Sequence, residues 1–283
     1  MIAKDFQEAT ATRIVDLFRQ GHNRVLLADE VGLGKTIVAK TVVEKTGVWR
    51  KEINDPDYVV VYICSNAGIA NQNCSKLGIA KENRVSISEG RLSMQHLMLA
   101  ETESRTNVRL IPMTPATSFQ IRSGAGTAHE RALAYLIMEH SGICGSYSEE
   151  LSFLMRTYVI EKPDSWQWYL EYQQWRIDQL SDKRGYLKRM TEELQNHMKP
   201  ELISEVKSVC RKIRKHWDEL PDNARLGSIL TWQEQKDLIN QIRYCFAEIS
   251  LGMLNPDLVI MDEFQRFKDL IEIDENDHSD GAL

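Results

Sequence analysis

The sequence has no long apolar run, since none approaches the ~20 residues that a membrane-spanning helix requires. It also shows no signal-peptide pattern, because no apolar h-region occurs in or directly after residues 1–5. These two absences argue against a membrane partner. We therefore expect a cytoplasmic protein.

Paired cysteines are also missing. The chain has five cysteines, an odd number, and no C-x-x-C pair offers the spacing of a metal site. They are Cys64, Cys74, Cys144, Cys210 and Cys245. We predict buried free thiols in a reducing compartment.

An excess of positive charge is absent as well. The 35 Lys and Arg residues are outnumbered by 41 Asp and Glu residues, which gives a net charge of −6. Bulk charge therefore does not attract nucleic acid, and any such contact must come from a local basic surface. With 42% hydrophobic and 27% charged residues over 283 positions, the chain has the composition of an ordinary globular protein with a sizeable core.

What the sequence does contain is a short apolar segment, residues 24–28, that leads into a turn with Gly32 and Gly34. Lys35 and Thr36 follow at the start of a helical pattern. Strand, glycine turn and helix in this order are typical of a phosphate-binding loop, in which Lys35 reaches the β/γ-phosphates and the Thr36 hydroxyl coordinates Mg²⁺. The alternative is a glycine-rich turn between a core strand and a core helix, with Lys35 exposed to solvent.

An acidic pair follows a second apolar segment near the end of the chain. Residues 258–261 predict a short buried strand, and Asp262 and Glu263 come directly after it. In Mg²⁺-assisted hydrolysis Asp262 would hold the metal directly or through water, while Glu263 would orient and deprotonate the attacking water. Acidic pairs alone are common on surfaces, but this one lies in a chain that also has a phosphate-loop pattern.

These two segments resemble the ATP motifs of superfamily 2 helicases. The first, Asp-Glu-x-Gly-x-Gly-Lys-Thr at residues 29–36, is similar to motif I of the Swi/Snf-like translocases and their bacterial DEAD/DEAH-like relatives, with Asp29 where the strict pattern has its first glycine. The second, Asp-Glu-x-x-Arg-x-Lys at residues 262–268, is similar to motif II, with Phe-Gln in place of the usual Ala-His. The resemblance implies an ATP hydrolase in which Gln265 and Arg266 couple the metal site to a nucleic-acid site.

The resemblance also implies a role for Gln7. In superfamily 2 helicases a glutamine upstream of motif I often reads the adenine edge, because its amide both donates and accepts. The alternative is an ordinary residue at the start of the helix predicted over 6–20. The residues predicted to bind ATP are Gln7, Val31, Gly32, Leu33, Gly34, Lys35 and Thr36.

Two strand ends resemble the helicase segments that contact a nucleic-acid backbone. Ser65 and Asn66 resemble motif Ia, since small polar side chains at a helix start suit phosphate contact. A helix cap formed by either residue is an equally compatible interpretation. Thr114 and Pro115, at the end of the next predicted strand, resemble motif Ib.

The pattern changes at about residue 128, where long helical periodicities begin. Five of the six tryptophans lie between residues 166 and 232, and Trp168, Tyr172 and Trp175 recur at helical spacing. We interpret these aromatic residues as core packing of a helical insertion rather than as a binding platform. A basic strip on one predicted helix could track a phosphate backbone but is more typical of a solvated face. Its members are Lys207, Arg211, Arg214 and Lys215. A further helix is predicted from the capping box that begins at Thr231.

The predicted fold is α/β: a RecA-like P-loop NTPase domain with a mostly parallel sheet, interrupted by a large α-helical insertion. Strands are predicted over residues 24–28, 58–64, 108–111 and 258–261. The ATP-binding domain takes residues 1–127 and 253–270, the insertion takes 128–252, and an acidic flexible tail takes 271–283.

The resemblance implies the ATP-binding motor domain of a bacterial helicase or translocase that moves on nucleic acid, with DNA favoured over RNA. After residue 270 the chain shows no motif III and no second RecA-like domain. We therefore expect Mg-ATP binding with slow hydrolysis unless another chain supplies the missing half, including its arginine finger. Two alternatives remain: a nucleotide-dependent protein-interaction subunit, as in a defence complex, and an inactive truncated relic.

Overall fold

The chain divides into two compact units by its internal contacts. A computed structural model describes residues 3–28, 30, 32–55, 57–85, 91–103, 108–114, 124–157, 163–220, 226 and 229–263. One of the two units, which we call the sheet unit, comprises Met1–Gly90, Arg105–Ser118 and Asn255–Leu283. The other, which we call the helical unit, comprises Arg91–Ser104 and Phe119–Leu254. The fold is mixed α/β and mostly helical.

The sheet unit contains a small parallel sheet and three α-helices among its described residues. The helices are α1 (Asp5–Arg19), α2 (Lys35–Glu52) and α3 (Ala67–Cys74). The strands are β1 (Tyr58–Ile63), β2 (Val108–Met113) and β3 (Leu258–Met261), in the spatial order β2-β1-β3. Ile63 pairs with Met113 on one side and with Met261 on the other, so the three strands end at the same edge. A parallel sheet is thus confirmed, whereas its RecA-like identity stays a prediction.

The strands form where the sequence has uninterrupted apolar runs. Residues 58–62 of β1 are all buried, as expected for the central strand of a covered parallel sheet. β2 extends past the predicted end to Met113 and includes Pro112, which a strand at the edge of this sheet tolerates because one of its sides carries fewer ladder bonds. The predicted strand at 258–261 is confirmed in its bounds but not in its burial, since Leu258 is buried whereas Val259 and Met261 are exposed.

The strand predicted at residues 24–28 is wrong, because residues 22–28 carry no strand structure. Val25 and Leu27 are half-buried and alternate with exposed neighbours, and Leu26 is 68% exposed. An apolar run predicts a strand only if the backbone also finds a ladder partner. The sequence pattern shows the apolar side chains but not the pairing.

The core of the sheet unit lies between its helices and the sheet. The fully buried residues include Ala11 of α1, Val38 of α2 and Val60 of β1. The helix predicted over 6–20 is confirmed as Asp5–Arg19, and an ion pair of 2.7 Å between Glu8 and Lys45 links α1 with α2.

The helical unit contains seven α-helices within its described residues. They are α4 (Gln95–Glu103), α5 (Ala128–Ser141), α6 (Ser148–Arg156), α7 (Pro163–Asp178), α8 (Lys183–His197), α9 (Pro200–Lys215) and α10 (Trp232–Leu254). The predicted capping box at the start of α10 is confirmed, since Glu234 accepts from the Thr231 N–H at 2.8 Å and donates its own N–H to the Thr231 hydroxyl.

The helical unit begins earlier in the chain than the predicted insertion over 128–252. Residues 91–104 belong to it, because Leu97 of α4 lies in its core and the His96 N–H donates to the Ser250 hydroxyl of α10 at 3.2 Å. Sequence order conceals this, since β2 of the sheet unit separates α4 from the other helices of the unit.

The interpretation of the tryptophans as core residues is wrong for four of the five. Only Trp166 is buried; the exposed fractions are 54% for Trp168, 57% for Trp175, 42% for Trp217 and 45% for Trp232. On α7 the buried side includes Trp166, Gln173, Arg176 and Ile177, which turns Trp168 and Trp175 outward. The sequence misleads because a glutamine and an arginine take the inward positions that aromatic residues were expected to fill.

Other predictions concern cysteine, the basic strip and membranes. All five cysteines are buried and free, as predicted. Arg211, Arg214 and Lys215 of the basic strip are exposed, as expected for a solvated face, and Arg214 also forms a salt bridge of 2.5 Å with Glu150 and lies over the Tyr147 ring. Within the described part of the chain, no helix combines the length and apolar character that crossing a membrane would require.

Candidate nucleotide-binding site

The turn before α2 adopts a backbone that favours glycine at two positions. Gly32 has φ +95° and Gly34 has φ +80°, both in the left-handed region, and Gly34 is the N-cap of α2. Lys35 and Thr36 are therefore the first residues of an 18-residue helix. A helix N-terminus behind a glycine turn presents N–H groups and a partial positive charge to an anion.

Gln7 of α1 lies against this turn. Its Oε1 accepts from the Lys4 N–H at 2.9 Å, and its Nε2 donates to the Leu33 carbonyl at 2.9 Å. An amide has two donors and two acceptor lone pairs, and these bonds use one of each. The buried Gln7 side chain therefore holds the turn to α1, a structural role that sequence reasoning did not predict.

The Lys35 ammonium donates to the Glu30 carbonyl at 3.2 Å, so its side chain folds back along the loop that precedes it. Lys35 and Thr36 are half-buried at the surface of the sheet unit. Val31 and Asp29 lie outside the described residues. Gln7 and Lys35 thus both form hydrogen bonds with backbone carbonyls of the described part of this loop.

Asp262 lies at the carboxyl end of β3, at the sheet edge where ligands of parallel α/β sheets are commonly bound. Its Oδ2 accepts from the Tyr62 hydroxyl at 2.5 Å and from the Asn73 side-chain amide at 3.2 Å. The Asn73 amide also donates to the Tyr62 hydroxyl at 3.0 Å. Burial raises the pKa of Tyr62, and its bond to Asp262 raises it further, so Tyr62 stays a neutral donor to the carboxylate.

Glu263 is held by the neighbouring strand end. Its Oε2 accepts from the Ser65 hydroxyl at 2.9 Å, and its backbone has φ +55°, a conformation that a residue other than glycine rarely adopts. Such strain is retained where surrounding structure imposes it and is frequent at functional sites. The structure therefore joins two residues that the sequence predicted separately, Ser65 and Glu263.

The predicted nucleic-acid residues have different surroundings. Asn66 is exposed and caps α3, with its Oδ1 accepting from the Ile69 N–H at 3.1 Å, so the capping interpretation is confirmed. Thr114 lies at the same sheet edge but is 0% exposed, so its side chain would have to be uncovered before it touched a nucleic-acid strand. Pro115 lies outside the described residues, as do Gln265 and Arg266.

The donors available to a metal are oxygen atoms. Thr36 and Asp262 offer a hydroxyl and a carboxylate, which suit Mg²⁺, an ion that usually takes only one or two protein ligands beside phosphate and water. Among the described residues, no group of three or more His, Cys, Asp or Glu side chains is arranged to hold a metal ion. The residues therefore fit Mg²⁺ carried in with a nucleotide better than a resident metal bound by protein alone.

Sequence reasoning missed Tyr62 and Asn73. Tyr62 lies inside an apolar strand and Asn73 inside a short helix, and neither was predicted to contact the acidic pair. Both reach Asp262 only because β1 and β3 are neighbours in the sheet. The signal available in the sequence is a tyrosine hydroxyl near the carboxyl end of an apolar buried strand.

Comparison with known proteins identifies no relative, since no protein-family model, curated protein or solved structure matches the chain.

Proposed function

We propose that the chain is an Mg-ATP-binding motor domain of a cytoplasmic bacterial helicase or translocase, acting on nucleic acid and with DNA favoured over RNA. The observation that carries the proposal is the turn before α2, where left-handed Gly32 and Gly34 are followed directly by Lys35 and Thr36 at the helix start. The acidic pair at the carboxyl edge of a parallel sheet supports it independently.

The residues have distinct roles in this proposal. Lys35 neutralises the β/γ-phosphate charge, and the helix N-terminus binds phosphate oxygens. Both hydrogen bonds to the Asp262 carboxylate reach Oδ2, so Tyr62 and Asn73 orient this carboxylate, which would hold Mg²⁺ together with the Thr36 hydroxyl. When bound, Mg²⁺ neutralises charge that develops on the phosphates.

Glu263 takes the proton of the attacking water in this scheme, and Ser65 determines its position. Ser65 precedes Asn66, the exposed cap that we propose contacts a nucleic-acid phosphate. A shift of this segment on strand binding would move the Ser65 hydroxyl and with it the Glu263 carboxylate. The Ser65–Glu263 hydrogen bond of 2.9 Å is thus the proposed link between nucleic-acid binding and hydrolysis.

The first test is calorimetric binding of Mg-ATP to the native chain and to Lys35→Ala. Loss of a charge-assisted phosphate contact should weaken binding by at least about tenfold. Glu263→Gln should bind ATP nearly as well as the native chain, because it removes a base and not a ligand. Lys40→Ala is the matched control, since Lys40 lies on the same helix and pairs with Glu44 at 3.4 Å. A folded native chain that binds no Mg-ATP would reject the proposal.

The nucleic-acid part is tested by fluorescence anisotropy with labelled single-stranded DNA and RNA, with and without a slowly hydrolysed ATP analogue. We expect affinity to depend on the nucleotide and to fall in Asn66→Ala. Unchanged affinity on nucleotide addition would favour the second candidate, a protein-interaction subunit. One observation favours that candidate: the exposed tryptophans of the helical unit.

A further inference from the structure

Helix α7 carries an ordered row of aromatic rings on its outer side. Trp168 and Tyr172 stack with ring centroids 5.6 Å apart and planes at 11°, and Tyr172 lies 6.2 Å from Trp175. His129 of α5 approaches Tyr172 edge-on at 5.1 Å. Because neighbouring rings hold one another, little rotamer entropy remains to be lost when a ligand binds this surface.

A groove of about 370 Å³ runs beside this row, within the helical unit. Its apolar lining includes Leu136 of α5 and Leu170 and Trp175 of α7. Trp175 lines the groove and is more than half exposed, so its indole is accessible to a ligand there. The face of an aromatic ring beside aliphatic side chains suits arginine, because the flat guanidinium stacks on the ring and the apolar stem contacts the aliphatic groups.

The charged groups that line the groove are acidic, and Gln167 and Gln174 are its neutral polar residues. Glu139, Glu171 and Asp178 line it, and no lysine or arginine is among the described residues that do so. Lys183 pairs with Asp178 at 2.6 Å, but both side chains are 44% exposed, and exposed pairs of this kind are easily exchanged for another cation. Three carboxylates around an aromatic surface repel a phosphate backbone and attract a cation.

We propose that this groove binds an arginine-bearing basic segment of a partner protein, with the guanidinium stacked on Trp175 and paired with Glu139 or Glu171. The charge of the groove selects this partner over nucleic acid, and the chain's net charge of −6 favours the approach of a basic protein. The site belongs to the helical unit alone, so the inference goes beyond nucleotide binding and stands independently of it.

The test is fluorescence anisotropy of a labelled Gly-Ser-Arg-Ala-Arg-Ser-Gly peptide with the full chain at about physiological ionic strength. We expect saturable binding that weakens at least about tenfold in Trp175→Ala and in the double variant Glu139→Gln/Glu171→Gln. A peptide with glutamine in place of both arginines should bind at least about tenfold more weakly to the native chain.

Matched controls separate this site from general attraction of a cation to an acidic protein. Trp232→Ala removes a comparably exposed tryptophan from α10, and Glu205→Gln removes an exposed carboxylate from α9; both should bind within about twofold of native. Circular dichroism establishes whether each variant is folded. If Trp175→Ala is unfolded, the double variant Glu139→Gln/Glu171→Gln decides the test.

Three results would overturn the proposal. They are no binding of the arginine peptide, equal weakening by the control variants, and preferential binding of a labelled oligothymidine that is lost in Trp175→Ala. The last result would make the aromatic row a stacking surface for bases.

Discussion

Of the two glycines in the turn before α2, Gly34 is the one that tolerates a side chain less. Its backbone is left-handed, and a Cβ would lie 2.5 Å from Nε2 of Gln7, whose side chain is buried and hydrogen-bonded. Gly34→Ala should therefore lower the free energy of unfolding by about 1–3 kcal/mol, through left-handed strain and displacement of Gln7. Urea unfolding followed by circular dichroism measures the loss.

Gly32→Ala is the control for that substitution. Gly32 is also left-handed, but a Cβ there would meet no atom within 4 Å, so it should show the backbone strain alone, about 1 kcal/mol. Equal losses at Gly32 and Gly34 would contradict the role given to Gln7. In the double variant Gln7→Ala/Gly34→Ala the two losses should not add, because the clash is already relieved.

His96 makes the stability of the helical unit depend on pH. Burial lowers its pKa to about 3, from an ordinary 6.5. Between these values the unfolded chain binds a proton that the native chain does not, so the contribution of His96 is present above pH 6.5 and decreases as pH falls toward 3. At pH 5 the expected loss is about 2 kcal/mol.

The measurement for His96 is urea unfolding at about pH 7.5 and pH 5 for the native chain and His96→Gln. The variant loses the contact of 2.9 Å between Nδ1 and the Tyr186 hydroxyl, so it should be less stable at both pH values. The fall in its free energy of unfolding from pH 7.5 to pH 5, however, should be smaller than that of the native chain by about 2 kcal/mol. Identical losses would show that His96 does not titrate differently on unfolding.

Single residues were predictable where chemistry is visible in a motif. The turn at Gly32 and Gly34 was predicted from the glycines, and the structure shows both of them with left-handed backbone. Tyr62, in contrast, acts on Asp262 through strand pairing, and a sequence gives no pairing directly. Gln7 was selected for a predicted adenine contact, yet its position also depends on the Leu33 carbonyl, which no side-chain pattern reveals.

At the scale of elements, a buried ion pair joins α5 and α10. Arg243 donates from Nε to Glu130 at 2.8 Å, and both side chains are 2% exposed. Replacing Arg243 with leucine leaves the Glu130 carboxylate buried without this partner. The expected loss of unfolding free energy is about 3–5 kcal/mol, which thermal or urea unfolding would measure.

Gln241→Leu is the control for this pair, because Gln241 lies on the same helix and is exposed. It should change stability by less than about 0.5 kcal/mol. The more conservative Arg243→Lys keeps a charge but loses the planar donor, so an intermediate loss is expected. A native-like Arg243→Leu would show that Glu130 is neutralised by its other neighbours.

Elements were predicted best where burial and hydrogen bonding agree. The runs that form β1 and β3 lie in a paired sheet, and both strands appeared, β1 buried as expected and β3 with Val259 and Met261 exposed. Residues 24–28 have the same apolar character but no strand structure, and the aromatic spacing on α7 marks its outer rather than its buried side. Periodicity locates a stripe on a helix, but only packing decides which stripe faces the core.

At the scale of the whole molecule, the division into two units was only partly visible in the sequence. The change from alternating elements to long helices near residue 128 marks the larger segment of the helical unit. Residues 91–104 were assigned to the sheet side because they precede β2, yet their contacts are with the helices. Membership of a unit follows contacts over long sequence separations, which local pattern does not contain.

This discontinuous helical unit predicts how a fragment should behave. A fragment of residues 119–254 lacks Leu92, Met94 and Leu97, which are almost completely buried. Truncating one such side chain typically costs about 2–5 kcal/mol, and a whole domain is stable by only about 5–15 kcal/mol. The fragment should therefore lose cooperative urea unfolding. A fragment that keeps residues 91–104, joined through a Gly-Ser linker in place of 105–118, should retain it.

The matched control keeps the linked segment but changes Leu92, Met94 and Leu97 to serine. It should behave like the shorter fragment, because the missing contribution is apolar burial rather than chain length. Cooperative unfolding of the shorter fragment with undiminished stability would show that residues 91–104 are dispensable to this core.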